Sequence, residues 1–254
     1  MSAAPVAGEL APGESRDTFL GGRVKARQPA SGYRAGLDAV LLGAAITAKP
    51  GARLVELGCG AGVAALIAAA RNPGVSILGL ERSPESAALA RENAAANDAA
   101  LDVREGDLFA AWPELREQFD QAFLNPPFYN DPAAVRAPKT AGRAAAFLDT
   151  EHGLADWLAA ALGLVKTRGL VTVIHRADRL GEILAAFEAV AGDIRVRAVH
   201  PRAGEAASRV VVRARKGARA PLRVLPGFVL YDGEAVSAEA AAVNHGAKGF
   251  ALEA

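Results

Sequence analysis

Arg53-Leu54-Val55-Glu56-Leu57-Gly58-Cys59-Gly60-Ala61-Gly62 joins a short apolar run to a glycine-rich turn, and a helical stretch, Ala61 to Arg71, follows. The run reads as a β-strand, five residues long and bounded by a turn signal. Glycines at alternate positions let the chain turn sharply and approach a ligand with no Cβ in the way. The helix behind them points its first amides at the turn, a favourable place for an anionic group. The same letters also describe a tight strand-to-helix turn that holds nothing.

The pattern repeats outward. Val75 to Glu81 is a second strand, and Pro84 to Asn97 a helix with Ser83 as N-cap and Pro84 in its first turn. Leu101 to Glu105 and Phe119 to Leu124 are the third and fourth strands. A helix over Leu154 to Lys166, a strand over Gly169 to His175 and a helix over Arg179 to Val190 come next. Asp193 to His200 and Ser208 to Arg215 are two late strands with a short loop between them. Gly36 to Ala48 reads as a helix ahead of the first strand, and Leu222 to Leu230 as a short extended run. Strands alternating with helices predict a doubly wound α/β fold on a mostly parallel, seven-stranded sheet. The late pair predicts an antiparallel hairpin at one edge. One domain over 21–254 is expected, after a mobile tail over 1–20.

Composition narrows the function. The 254 residues are 51% hydrophobic, much of it Ala, which suits a core covered by Ala-rich helices. Cys59 is the single cysteine, so no intrachain disulfide and no Cys-cluster metal site is expected, in keeping with a reducing cytosol. No run of about 18 apolar residues predicts a membrane span, and the first residues lack the pattern of a signal peptide. Net charge is only +1, but its distribution is uneven. Residues 21–37 hold Arg23, Lys25, Arg27 and Arg34 without an acid, and residues 132–148 hold Arg136, Lys139 and Arg143 without an acid. Either could be a solvated loop. Two such segments flanking one pocket suit a phosphate-bearing partner better.

Two acids sharpen the first turn. Glu81 ends the second strand, where a carboxylate can accept from both hydroxyls of a ribose. Asp107, in Gly106-Asp107-Leu108-Phe109, follows the third strand and could accept from an adenine amine. Each alone also reads as a surface acid or a helix cap. Together with the glycine turn they line three consecutive strand ends. A dinucleotide loop would place its third glycine one residue later. The spacing here, Glu-x-Gly-x-Gly-x-Gly, resembles motif I of class I S-adenosylmethionine-dependent methyltransferases, with Glu81 and Asp107 at the positions of their ribose and adenine acids. The resemblance covers residues 50–215 and implies that Glu56, Gly58, Gly60, Glu81, Asp107, Leu108 and Asn125 hold S-adenosylmethionine.

Asn125-Pro126-Pro127-Phe128 follows the fourth strand. Four such letters can be a plain turn. They can also form a clamp: the Asn125 amide oxygen and the Pro126 carbonyl accept from an NH2 group, and Phe128 lies on a planar ring. In the methyltransferase class this tetrad marks enzymes acting on planar amino or amide nitrogens, which makes Asn125, Pro126 and Phe128 the candidate catalytic residues. The stretch Gln28-Pro29-Ala30-Ser31-Gly32-Tyr33-Arg34-Ala35-Gly36-Leu37-Asp38-Ala39-Val40-Leu41-Leu42 resembles the start of the bacterial tRNA1(Val) adenine-37 N6-methyltransferase family, and Arg209 to Gly217 resembles its C-terminal part. That likeness implies that Tyr33, Arg34 and Asp38 lie near the methionine end of the cofactor. Without it Tyr33 is core and Asp38 caps a helix, and both readings of Asp38 stay open. The expected function is methyl transfer to an exocyclic amine, foremost adenine N6 in tRNA, with Lys25, Arg27, Arg34, Arg136, Lys139 and Arg143 on the RNA. The rivals are N5-methylation of a protein glutamine, as in release-factor enzymes, and a binding protein without turnover. His152 reads as a helix cap rather than a base, and His175 carries no clear signal.

Overall fold

The computed structural model describes residues 14–29, 34–109, 112–127 and 152–253. The chain opens with a hairpin, β1 (Ser15–Phe19) and β2 (Val24–Gln28), and continues into helix α1 (Leu37–Ala45). Then β3 (Arg53–Leu57), α2 (Val63–Arg71), β4 (Ser76–Glu81), α3 (Pro84–Ala96), β5 (Leu101–Glu105) and β6 (Phe119–Leu124) alternate. After α4 (Leu154–Leu164) come β7 (Val165–Arg176), α5 (Leu180–Glu188), β8 (Ala191–Arg202) and β9 (Arg209–Lys216). The chain ends with β10 (Arg223–Val224), β11 (Phe228–Asp232), β12 (Ala235–Val236) and α6 (Ala238–Asn244).

The main sheet runs β12-β11-β8-β9-β7-β6-β3-β4-β5, with β10 also paired to β8. The doubly wound, mostly parallel sheet expected from the sequence is present: β5, β4, β3, β6 and β7 are parallel neighbours, and β9 is antiparallel to both β7 and β8. Three expectations need correction. The sheet has ten strands and not seven, because β10, β11 and β12 extend it beyond β8. The β8–β9 hairpin does not form the edge, because β10 and β11 pair in parallel with the open side of β8. The segment read as a tail over 1–20 ends in strand β1, which pairs with β2 from Ser15↔Gln28 to Phe19↔Val24.

Parallel strands buried on both faces need apolar residues at every position. Leu54 faces a core shared with α1, α2 and α3, while Val55 and Leu57 face a second core under α4 and α5. The N-cap of α3 follows the sequence: Ser83 Oγ accepts from the Ser86 amide at 3.2 Å, with Pro84 at the first helical position. Strand order reverses beside β3: the chain adds β4 and β5 on one side, then crosses to β6 on the other. Such a switch opens a crevice at the carboxyl ends of the strands. Among the described residues no helix is long and apolar enough to cross a membrane.

Candidate functional site

The crevice is lined by four strand ends in register, with Leu57 opposite Leu80 and Leu124, and Glu81 opposite Glu105. The glycine turn leaves β3 there. Gly58 and Gly60 have φ of 67° and 54°, the left-handed region where glycine is at ease. The Gly58 and Cys59 amides both donate to the Leu80 carbonyl, at 2.9 and 3.1 Å, which ties the turn to β4. On its other side the turn is bare: a Cβ built on Gly60 would meet nothing within 4 Å.

Glu81, half-buried at the end of β4, accepts from the Gly60 amide at 2.8 Å through Oε2 and from the Ser83 amide at 2.9 Å through Oε1. A carboxylate has about four lone-pair sites, so acceptor capacity remains for a ribose. Asp107 is exposed, and its Oδ1 accepts from the Phe109 amide at 2.9 Å. Among the described residues its Oδ2 has no hydrogen bond. Leu108 packs nearby with the second core. A bare glycine backbone between two carboxylates with spare acceptors fits the ribose and adenine of S-adenosylmethionine. No group of three His, Cys, Asp or Glu among the described residues is arranged for a metal.

Several expected site residues do other work. Glu56 is only 4% exposed and lies beneath the turn, where Oε2 accepts from the Ala65 amide of the first turn of α2 at 2.9 Å. Burial, reinforced by the nearby charge of Glu81, pushes its carboxyl well above the usual range. Glu56 therefore braces the turn from below. Cys59 is buried against Gly79, a packing role, and burial pushes its thiol up. Asp38 neither caps α1, whose N-cap is Gly36, nor faces the crevice unpaired: Arg209 Nε bonds its Oδ2 at 3.1 Å.

The basic segment before α1 is less basic than its letters. Arg27 pairs with Glu14 and with Glu92, the latter at 2.6 Å, and Arg34 pairs with Asp17 at 2.8 Å. The partners come from β1, the residue before it and α3, so counting charge along one stretch could not find them. The Lys25 side chain stays exposed. Tyr33, Phe128, Arg136, Lys139 and Arg143 lie outside the described residues.

At the end of β6, Asn125 is half-buried and Pro126 buried. Beside them His175, near the end of β7, is buried at 2% exposure. Burial and then the charge of Arg179 lower its pKa to about 4, while the Pro127 backbone, bonded to the ring, acts the other way. The sequence assigned His175 nothing, since a histidine at a strand end says little until the neighbouring strand is known. His152 is not a helix cap either. Gly153 is the N-cap of α4, and its amide donates to Asp156 at 2.8 Å. His152 instead stacks on Phe109, centroids 3.6 Å apart, and Trp157 meets Phe109 edge-on at 5.5 Å. Trp157 also packs against Gly58, where an added Cβ would sit 3.1 Å from its ring. This aromatic wall joins segments about 50 residues apart, too far for any spacing rule.

The methyltransferase small domain family matches residues 36–151. A tRNA1(Val) (adenine(37)-N6)-methyltransferase from Aeromonas hydrophila subsp. hydrophila is 32% identical over 200 residues, 72% of this chain and 77% of that protein. The chain belongs to the tRNA1(Val) (adenine(37)-N6)-methyltransferase family. The namesake from Yersinia enterocolitica is 34% identical over 106 residues, and there the match spans 41% of this chain and 42% of that protein. A crystal structure of a predicted O-methyltransferase from Agrobacterium tumefaciens is similar at a TM-score of 0.69 and 28% identity, over 84% of this chain and 98% of that one. This family member is thus a methyltransferase, and S-adenosylmethionine is its methyl donor.

Proposed function

We propose that this methyltransferase modifies the exocyclic N6 of an adenine in tRNA. The observation that carries the reading is the Asn125-Pro126-Pro127 turn at the end of β6, next to the glycine turn at the end of β3. An exocyclic amine delocalises its lone pair into the ring and is a poor nucleophile. The Asn125 amide oxygen and the Pro126 carbonyl would accept from its two N–H groups, favour a pyramidal nitrogen and return the lone pair. S-adenosylmethionine supplies an electrophilic methyl on a good leaving group. As the N–C bond forms the S–C bond breaks, and the extra proton on nitrogen then passes to solvent. No strong base is needed, since alignment and electrostatics carry the step.

An oxygen acceptor has no use for two hydrogen-bond acceptors at a nitrogen, which sets this reading apart from the name of the Agrobacterium tumefaciens relative. Phe128 would stack on the flipped base. The exposed Lys25, with Arg136, Lys139 and Arg143, would meet phosphates, while the paired Arg27 and Arg34 contribute less. The family names support tRNA as the acceptor.

Replacing Asn125 by Ala should lower methyl transfer at least about 100-fold, as loss of one polarising group does elsewhere, while calorimetry still detects cofactor binding. Turnover within tenfold of wild type would sink the mechanism. Labelled methyl should enter the RNA of an extract at adenine. Label that survives RNase and travels with protein would favour a glutamine amide instead.

A further inference from the structure

Asn93 lies in the last turn of α3 at 1% exposure, yet its side chain is polar. Its amide makes three hydrogen bonds. Oδ1 accepts from the Arg27 amide at 2.7 Å, and Nδ2 donates to the carbonyls of Arg27 and Ala61, each at 2.9 Å. One helical turn on, Asn97 accepts from the Lys25 amide at 2.9 Å and donates to the Lys25 carbonyl at 2.6 Å. Residues four apart on a helix share a face. Alternate residues of a strand present their N–H and C=O to the same edge. The two asparagines thus take the place of a third strand beside β2 and dock the hairpin on α3.

Asn97 stops at the hairpin and its own helix, where it donates to the Asn93 carbonyl at 2.7 Å. Asn93 alone continues into the glycine turn. Ala61 sits between Gly60 and Gly62, and three anchors hold that stretch: Glu81 on the Gly60 amide, the Cys59 carbonyl on the Gly62 amide, and Asn93 on the Ala61 carbonyl. Glycines lose the most backbone freedom on ordering, so each anchor matters to the shape of the turn. At its other end the hairpin fixes the approach to α1: Gln28 Nε2 donates to the Ala35 carbonyl at 2.9 Å and Oε1 accepts from the Ala35 amide at 2.6 Å.

We propose that Asn93 is a positioning residue for cofactor binding, coupling the β1–β2 hairpin to the glycine turn so that each tightens the other. The inference rests on the reading that S-adenosylmethionine lies along the turn from Gly58 to Gly62. A coupling free energy is reciprocal. Cofactor that orders the Ala61 peptide must therefore strengthen the docking of β2, and docking of β2 must strengthen cofactor binding.

The test uses the full chain, calorimetric titration with S-adenosylmethionine, steady-state kinetics and amide hydrogen exchange. Asn93→Ala should weaken cofactor binding about tenfold and raise its KM alike, with kcat at saturating cofactor within about twofold. Asn97→Ala loosens β2 but keeps the Asn93 bond to Ala61, so cofactor affinity should fall by clearly less than in Asn93→Ala, about threefold at most. In the wild-type protein cofactor should slow exchange at the Lys25 and Arg27 amides, a result independent of whether any variant folds. Equal weakening in both variants, wild-type affinity in Asn93→Ala, or hairpin exchange insensitive to cofactor would each overturn the coupling. Gly60→Val separates the two readings. If it keeps wild-type affinity, the cofactor does not lie on the turn. If it loses affinity while Asn93→Ala does not, only the coupling fails.

Discussion

At the residue scale the site is built on two buried titratable groups in unusual states. Burial raises the Glu56 carboxyl well above the usual range, and one oxygen still serves the Ala65 amide. Glu56→Gln keeps that acceptor and should match wild-type stability at acid pH, where the wild-type carboxyl is protonated in both states. Glu56→Ala orphans the amide at the start of α2 and should cost about 1–3 kcal/mol by urea denaturation. A folded pKa above the unfolded one means the native state holds the extra proton, so stability declines as pH rises through the folded value. The Gln variant should lack that decline, and a parallel decline in both proteins would refute the assignment. His175 titrates with the opposite sense. Its folded pKa of about 4 lies below the ordinary 6.5, so the unfolded chain takes up a proton first as pH falls. Stability should therefore drop between pH 6.5 and 4, by about 3 kcal/mol at most for this group. His175→Gln should flatten that limb of the curve. Glu56 was legible as part of a motif but not as a group buried beneath it, since a motif gives order along the chain and not depth.

At the element scale the parallel strands were the most legible part. Arg53–Leu57, Leu101–Glu105 and Phe119–Leu124 have the boundaries their apolar runs predict, because strands covered on both faces admit little else. β7 starts earlier than Gly169, at Val165. Arg168, with φ of 69°, makes a local irregularity inside the strand, directly before the Gly169 start that the sequence predicts. The β1–β2 hairpin was missed for a different reason. β2 alternates over only five residues, with Val24 and Ala26 as its apolar members, and its partner β1 has Phe19 alone, so the apolar signal is too short to announce a hairpin. Helix contacts give the prediction at this scale. Gly43 lets α1 approach α2 so closely that an added Cβ would sit 2.6 Å from the Ala64 carbonyl and 2.8 Å from Ile67. Gly→Ala in a helix interior normally gains about 1 kcal/mol. Here Gly43→Ala should instead destabilise by about 1–3 kcal/mol, the cost of overpacking, in thermal or urea melts. A gain in stability would mean that the two helices separate freely.

At the scale of the whole molecule the segment around residues 250–253 closes over the late strands of the sheet. The C-terminal segment is held by arginines from the late strands. Arg197 lies over the rings of Phe228 and Phe250, 5.2 and 4.8 Å from their centroids, and bonds the Ala251 carbonyl at 3.2 Å. Arg195 and Arg213 both donate to the Leu252 carbonyl at 3.1 Å, and Arg213 also reaches Glu253 at 3.2 Å. In the sequence these arginines look like the solvated side of an alternating strand. In the fold the tail covers them, leaving the Arg213 side chain 4% exposed. A buried guanidinium is tolerable while its acceptors are in place, and losing a partner leaves an uncompensated charge. Removing residues 250–254 takes away three acceptor carbonyl or carboxylate partners and two covered apolar side chains, Phe250 and Leu252, the first of them the ring beneath Arg197. The truncated protein should be less stable by about 3–5 kcal/mol in urea denaturation. Arg213→Met in that truncated chain replaces the stranded charge with an apolar side chain of similar length, and should recover part of the loss. Arg213→Met that instead deepens the loss would mean the arginine had found water or another acceptor once the tail was gone.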